Sequence, residues 1–218
     1  MDPSGLTSAG APSWLASRVS KGTVISRSAT SIGLREPVIQ VQNIVASVDL
    51  EIQLDLSSLA FELPGSEYNP SRFPALIVKF REPKISFLIF RNGKINCTGA
   101  NTMDTLEEGV DKLVDQLRGR GVEIEGDPGF TVTNLVATCD LGLDLNLDEM
   151  ALNLENVEYE PETFPGLVYR TYGSRVSVLV FSTGKLVVAG FRDLPEGKRI
   201  VEGLVQRLEE AGLVPSHG

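Results

Sequence analysis

An internal repeat constrains the fold of this chain more than any other feature of its sequence. When the sequence is shifted by 91 residues, positions 41–100 overlay positions 132–191 without a gap, with 22 identities in 60 positions. The repeated positions include Asn43 with Asn134, Phe73 with Phe164, Phe90 with Phe181 and Gly93 with Gly184. Self-similarity at a fixed spacing indicates a duplicated structural unit. The boundaries that follow from the shift are 37–126 for the first unit and 127–218 for the second.

Each unit shows the same succession of strand and helix patterns. In the first unit, alternating apolar runs predict strands, and helical periodicity predicts two helices. The predicted strands are 38–48, 75–81, 85–91 and 95–99, and the predicted helices are 54–63 and 103–118. The dipeptide Asn92-Gly93 is a hairpin signal between the last two strands. The second unit ends with an amphipathic helix over 194–211. We therefore expect an α+β fold in which helices cover one face of an antiparallel sheet.

The other face of that sheet carries apolar side chains. Side chains alternate between the two faces along a strand. If Leu135, Ala137 and Cys139 point toward the helices, then Asn134 and Val136 point away. By the same alternation, the residues Thr138, Leu88, Phe90, Leu179 and Phe181 also point away from the helices. Large exposed apolar patches mark binding sites, so the uncovered face is the candidate functional surface.

Residues 1–36 differ in composition from the rest of the chain. They contain eight serines, with scattered glycine and proline and no sustained periodicity, which predicts a disordered N-terminal arm. The arm has a net charge of +2, whereas the whole chain has −9, so the remaining 182 residues carry −11. Two interpretations of the arm stay open, a weak contact with DNA or a partner and a passive tail.

The net negative charge argues against a nucleic-acid ligand unless the charges are segregated. Residues 101–129 hold eight acidic side chains and three basic ones, a net charge of −5 on or beside the helix 103–118. The cations on the predicted sheet lie apart from that segment. We therefore expect an acidic helical side and a less acidic sheet side.

Several function classes lack their characteristic residues. Cys97 and Cys139 are not in a CxxC pair, which favours buried structural thiols, and the only histidine is His217. Neither a metal site nor a catalytic constellation is recognisable, and the glycine-rich spots are hairpin turns. No apolar run reaches the length needed to cross a bilayer, and no secretory signal is visible. We predict a protein without cofactor or metal, not an enzyme, and with no membrane partner.

A broad apolar face with a few asparagines and cations suits the minor groove of DNA. The floor of that groove offers mostly hydrogen-bond acceptors, so few polar side chains are needed, and apolar side chains can wedge between base steps. The stretches that carry a resemblance to a known family are Val41-Gln42-Asn43-Ile44-Val45-Ala46, Glu67-Tyr68-Asn69-Pro70, Arg72-Phe73, Arg81-Glu82-Pro83-Lys84, Leu88-Ile89-Phe90, Tyr159-Glu160-Pro161-Glu162, Phe164-Pro165-Gly166-Leu167-Val168-Tyr169-Arg170 and Ser182-Thr183-Gly184-Lys185. Together these motifs, spread over roughly 38–212, resemble the TATA-box-binding protein family, most closely its archaeal forms.

The resemblance implies a fold and a set of DNA contacts. The implied fold is a two-repeat, pseudo-twofold saddle, a curved antiparallel sheet with its helices on the convex face. In that family, paired phenylalanines prise open the ends of the TATA element, and two asparagines near the pseudo-twofold bond the central A·T pairs. The implied DNA-binding residues are Asn43, Val45, Arg72, Phe73, Lys79, Leu88, Phe90, Lys94, Asn96, Thr98, Asn134, Val136, Phe164, Arg170, Arg175, Leu179, Phe181, Lys185 and Val187.

Partners follow from the same resemblance. The turn that holds Glu160 and Glu162 resembles the docking point for transcription factor B, although Thr163 stands where the family commonly has leucine. The expected partners are double-stranded promoter DNA with a TATA element, transcription factor B, and RNA polymerase through the initiation complex. The expected location is the cytoplasm, on the nucleoid if the source is archaeal.

Two functions remain open on the sequence alone. The first is a general initiation factor that binds and bends TATA promoters. The second is a saddle-fold paralogue with weak or altered DNA preference that acts as a partner-binding regulator. Asn96 motivates the second, because the family usually has an aliphatic residue there and the second unit has Val187.

Overall fold

The computed structural model describes residues 37–215, so the predicted arm over residues 1–36 lies outside the described residues. Ten strands form a single antiparallel sheet, and four helices accompany it in this part of the chain. The strands are β1 (Gln40–Asp49), β2 (Ser66–Glu67), β3 (Leu76–Lys79), β4 (Ser86–Ile89), β5 (Lys94–Ala100), β6 (Thr131–Asp140), β7 (Val157–Glu158), β8 (Leu167–Arg170), β9 (Ser177–Val180) and β10 (Lys185–Phe191). The helices are α1 (Leu56–Glu62), α2 (Met103–Arg118), α3 (Leu147–Asn153) and α4 (Leu194–Glu210).

The strand order is symmetric about the middle of the sheet. It runs β2-β3-β4-β5-β1-β6-β10-β9-β8-β7, so the first unit supplies one half and the second unit repeats it in reverse. At the junction β1 and β6 pair antiparallel, and Ile44 lies opposite Leu135, its own equivalent in the second unit. A pseudo-twofold axis therefore passes through this pair. The α+β saddle, with its curved sheet and with helices on one face only, is confirmed.

Local sequence explains where the helices begin. Each helix is preceded by a capping residue whose side chain accepts a backbone N–H of the first turn, the group that a helix start leaves unpaired. The caps are Asp55, Thr102, Asn146 and Asp193. The predicted helix 103–118 is found with the same bounds, and 194–211 ends one residue earlier, at Glu210. The predicted helix 54–63 shortens to Leu56–Glu62, because Asp55 is its cap.

One continuous core lies between the sheet and the helices. Apolar side chains of α2, among them Leu106, Leu113 and Leu117, pack with inward residues of the sheet such as Phe87 and Ile95. The second unit repeats the arrangement with α4. Leu135, Ala137 and Cys139 belong to this core, as alternation predicts.

Both cysteines are buried and unpaired, and burial raises the pKa of the Cys97 thiol to about 12. Thiols in this environment are unreactive, and the prediction of structural thiols is consistent with it.

Two features of the sheet differ from the sequence expectation. The outermost strands, β2 and β7, have two residues each and were not predicted. The hairpin at Asn92-Gly93 is present, but among its residues only Gly93 has a positive φ, of 80°. The turn therefore needs a glycine at one position, not the two left-handed residues typical of the shortest Asn-Gly hairpins.

Candidate nucleic-acid interface

Four side chains surround the pseudo-twofold axis on the face that no helix covers. Asn43 lies opposite Val136 in the β1–β6 ladder, and Val45 lies opposite Asn134. Each asparagine is therefore next to a valine from the other unit. Alternation placed Asn134 and Val136 on this face, the repeat relates Asn43 and Val45 to them, and the register brings all four together at its centre. The arrangement presents two amides on an apolar floor, one on each side of the axis.

Two pairs of phenylalanines lie toward the ends of the same face. The ring centroids of Phe73 and Phe90 are 6.4 Å apart with an interplanar angle of 63°, and those of Phe164 and Phe181 are 6.0 Å apart at 67°. These edge-to-face contacts hold each pair as a unit. None of the four rings belongs to the hydrophobic core, whereas Phe87 and Phe191 do. The alternative that the pairs are ordinary core residues is therefore not supported.

Backbone hydrogen bonds fix both members of each pair. The N–H of Phe73 donates to the carbonyl of Asn69 at 2.9 Å, within the turn that leads into β3. The N–H of Phe164 makes the equivalent bond to Glu160, also at 2.9 Å. Phe90 and Phe181 begin the hairpins before β5 and β10. The two turns and the two hairpins thus present the four rings from the same places in both units.

The apolar residues of this face are less exposed than alternation alone implies. Val136 is only 4% exposed and Leu179 6%, although neither belongs to the core beneath the sheet. Val45, Leu88 and Val187 are half-buried. Neighbouring side chains on the concave face cover the two buried residues, which strand alternation does not predict. The face keeps its apolar character, and its most exposed large ring is Phe73, at 40%.

The two central asparagines have unequal surroundings. The backbone N–H of Gly99 donates to Oδ1 of Asn43 at 2.8 Å, and the hydroxyl of Thr98 lies 3.2 Å from Nδ2. No hydrogen bond joins the side chain of Asn134 to any residue between 37 and 215. The residue equivalent to Thr98 in the second unit is Ala189, which has no hydroxyl. The missing hydroxyl can be read from the sequence, but its consequence for the Asn134 amide cannot.

Asn96 projects from β5 on the same side as Thr98, since Ile95 and Cys97, which flank Asn96, are buried in the core. Its side chain is exposed and has no hydrogen-bond partner within the described chain. The sequence prediction that Asn96 adds a polar group to this face agrees with its position. Whether it contacts a ligand stays a prediction.

Three of the six candidate phosphate-facing cations have a carboxylate beside them. Nζ of Lys79 lies 3.0 Å from Oε1 of Glu67, and Lys94 lies 4.0 Å from Asp49. Arg170 donates from Nε and Nη2 to both oxygens of Glu158, at 3.0 and 3.2 Å. This bidentate hydrogen bond lowers the pKa of Glu158 and raises the pKa of Arg170.

These ion pairs are half-exposed and contribute little to stability, so a phosphate can replace the carboxylate at small cost. Glu67 and Glu158 were not identified from the sequence, because their strands are only two residues long. The other three cations, Arg72, Arg175 and Lys185, are exposed and make no ion pair with a described residue.

The candidate partner-docking residues lie in the turn that presents Phe164. Glu160 and Glu162 are both exposed, and the carbonyl of Glu160 accepts the N–H groups of Thr163 and Phe164 at 2.9 Å. Neither carboxylate has a cation beside it among residues 37–215. The turn therefore offers two free negative charges next to the phenylalanine pair.

A search of the described residues finds neither a cluster of three potential metal ligands nor a helix long and apolar enough to cross a membrane. Two depressions of about 500 and 530 Å³ are open to solvent, and aspartates are among the residues that line each of them.

Comparison with known proteins agrees with the geometry. The family described as "Transcription factor TFIID (or TATA-binding protein, TBP)" matches residues 38–119 and 129–211. The TATA-box-binding protein of Natronomonas pharaonis is 45% identical over 178 residues, which cover 81% of this chain and 95% of that protein. That of Picrophilus torridus is 46% identical over 178 residues, with coverages of 81% and 97%.

A solved structure extends the similarity to three dimensions. The Methanococcus jannaschii TBP superimposes with a TM-score of 0.75 at 40% identity, covering 79% of this chain and 98% of that one. The two matched segments coincide with the two halves of the symmetric sheet. With the repeated fold, the paired phenylalanines and the central asparagines in place, the chain belongs to the TATA-binding protein family of general transcription factors.

Proposed function

We propose that this chain binds TATA-type promoter DNA through the minor groove, bends it, and recruits transcription factor B and, through it, RNA polymerase. The observation that carries the proposal is the placement of two phenylalanine pairs outside the core, on the uncovered face, at equivalent positions about the pseudo-twofold axis. Aromatic wedges at the two ends of an apolar face match a groove that is opened at two base steps. Kinking of this kind is best known from this same family, so the bend is an expectation carried over from it.

The distribution of charge supports DNA as the ligand. The acidic side chains of α2, such as Asp104, Glu107 and Asp111, are exposed on the helical side. The cations Arg72, Arg175 and Lys185 lie on the sheet or its connecting turns instead, with no carboxylate beside them in the described chain. Local charge governs attraction to phosphates, so a net charge of −9 does not prevent binding.

Recruitment of transcription factor B would use the turn that holds Glu160 and Glu162. Two exposed carboxylates without a cation beside them suit basic side chains of a partner. Because Thr163 stands where the family commonly has leucine, this contact relies on charge more than on apolar burial.

A second function is favoured by one observation. The exposed amide of Asn96 on the DNA-facing side suits a paralogue with altered promoter preference that acts as a partner-binding regulator. The two functions differ in the outcome of a single binding experiment.

The experiment compares a TATA duplex with a scrambled duplex of the same composition in a mobility-shift assay, over a series of salt concentrations. We expect selective retention of the TATA duplex, with an affinity that falls as salt rises. Equal retention of both duplexes would reject promoter recognition and favour the paralogue.

Two variants test the wedges in the same assay. Phe90→Ala with Phe181→Ala should abolish the bend, measured by energy transfer between the duplex ends, and weaken binding by roughly a few kcal/mol per lost wedge. Phe61→Ala is the matched control, because that ring is 93% exposed on α1, away from the face. A double variant that still bends the duplex fully would contradict the assignment of the wedges.

A further inference from the structure

We propose that the two central asparagines read DNA differently. Asn43 is held as a hydrogen-bond donor and requires an A·T pair, whereas Asn134 can turn its amide and therefore tolerates either an A·T or a G·C pair. The inference rests on the proposed minor-groove binding. The difference would give the protein a preferred orientation on DNA, although the backbone of its saddle is nearly symmetric.

The orientation of the Asn43 amide follows from its contact with Gly99. A backbone N–H can only donate, so the side-chain atom 2.8 Å from it must be the carbonyl oxygen Oδ1. The hydroxyl of Thr98 lies 3.3 Å from the same oxygen and 3.2 Å from Nδ2, within hydrogen-bond distance of both ends of the amide. With Oδ1 used inside the protein, the group left for a ligand is the NH₂, which only donates.

Asn134 has no such restraint. Its neighbour in the equivalent position is Ala189, and the N–H of Gly190 does not donate to it, unlike that of Gly99 to Asn43. Both asparagines are half-buried and flank the same axis, so their access to a ligand is alike. A half-turn of the Asn134 amide exchanges its oxygen and nitrogen without breaking a hydrogen bond within the described chain. It can therefore present a donor or an acceptor.

The minor groove distinguishes these two states. A·T pairs show only acceptors there, whereas a G·C pair adds the exocyclic amine of guanine, a donor. The fixed NH₂ of Asn43 would face that amine donor to donor, leaving both unpaired. Asn134 would turn and accept from it. A net hydrogen bond changes an equilibrium by about fivefold, and an unpaired donor raises the penalty.

A palindromic TATA duplex provides the test, because its two orientations are identical. Replacing one A·T pair beside the centre by G·C makes them unequal. The bound orientation is determined with a cleaving reagent attached at Ser71→Cys, an exposed position in the first unit's turn. The native thiols do not interfere, because Cys97 and Cys139 are buried. We expect equal cleavage at both ends of the palindrome and about a fivefold bias on the substituted duplex, with G·C under the second unit.

Removing one amide at a time tests the cause. Asn43→Ala deletes the fixed donor, so the bias should fall below about twofold. Asn134→Ala is the matched control, because it leaves the Asn43 amide and its bond from Gly99 in place and should keep G·C under the second unit. All variants are compared at equal occupancy of the parent palindrome, which shows that each one is folded and binds.

The possible results separate the two proposals. No preference for the palindrome over a scrambled duplex rejects the proposed function itself. Retention of the palindrome with equal cleavage on the substituted duplex overturns the directional inference alone. A full bias that survives Asn43→Ala also overturns it, because the asymmetry would then come from other residues.

Discussion

Replacing Gly184 by alanine should destabilise the second unit far more than its backbone angle alone predicts. Gly184 has a φ of +75°, and an added Cβ would lie 2.0 Å from the carbonyl oxygen of Leu143. Gly142 has nearly the same φ, +74°, with nothing within 4 Å of its Cβ position. The two glycines therefore share the backbone strain and differ only in the steric contact, which makes Gly142→Ala the matched control.

The magnitude follows from these two contributions. A side chain at a left-handed φ costs about 1–2 kcal/mol, and this applies to both variants. Only in Gly184→Ala must the loop also move, which strains the bonds from Leu141 to Gly184 (3.0 Å) and from Leu145 to Ser182 (2.8 Å). Each lost backbone bond costs about 1 kcal/mol. We expect the free energy of unfolding to fall by about 3–4 kcal/mol for Gly184→Ala, against about 1–2 for Gly142→Ala.

Urea unfolding monitored by circular dichroism measures the free energy of unfolding of both variants. We expect the dependence of that free energy on urea concentration to stay unchanged. A second readout links the hairpin to function. The N–H of Gly184 donates to the carbonyl of Phe181 at 2.9 Å, so moving the turn displaces that ring and should reduce DNA bending. Equal destabilisation by the two substitutions would refute this reasoning, because the close contact would then carry no energy.

Two further predictions concern the faces of the saddle. Glu160→Lys with Glu162→Lys should prevent the ternary complex with transcription factor B in a supershift assay and leave binary DNA binding intact. Asn69→Lys with Ser71→Lys, in the equivalent turn of the first unit, is the control and should leave the ternary complex unchanged. A normal supershift with the first variant would place docking elsewhere. Asn96→Val introduces the residue that the second unit has at Val187. In binding to TATA duplexes substituted one base at a time, this variant should lose its tolerance or preference for a base change at one position of one half-site. A uniform gain in affinity would instead show that the amide is an unpaired polar group, a cost of about 1–3 kcal/mol.

The repeat and the alternation of side chains were sufficient to predict the main elements and the two faces of the sheet. The bounds of the helix 103–118 followed from its apolar periodicity. The edge strands β2 and β7 could not be predicted, because two residues show no periodicity. They form only because β3 and β8 provide partners, and with them come the ion pairs of Glu67 and Glu158.

Features of the candidate site that depend on neighbours across the sheet were likewise beyond the sequence. Alternation assigned Val136 and Leu179 to the uncovered face but gave no measure of how far adjacent side chains bury them. The bond from Gly99 to Asn43 joins residues 56 positions apart, and Gly99 is the extra residue of β5 at the register shift between the Ile44 and Val45 pairs. The difference between Thr98 and Ala189 is visible in the sequence, but its effect on the neighbouring amide is not.

The pairing of Ile44 with Leu135 has a mechanical consequence. The β1–β6 ladder joins the two units at the centre, with a register shift on each side of this pair, and the ten strands form one sheet across the junction. A load that tends to flatten the saddle would have to shear two ten-residue strands past one another. DNA of the same length is the more compliant body, and its softest steps kink under modest force. The energy of bending would then be stored in the DNA duplex, and the surface of the protein would set the curvature of the duplex.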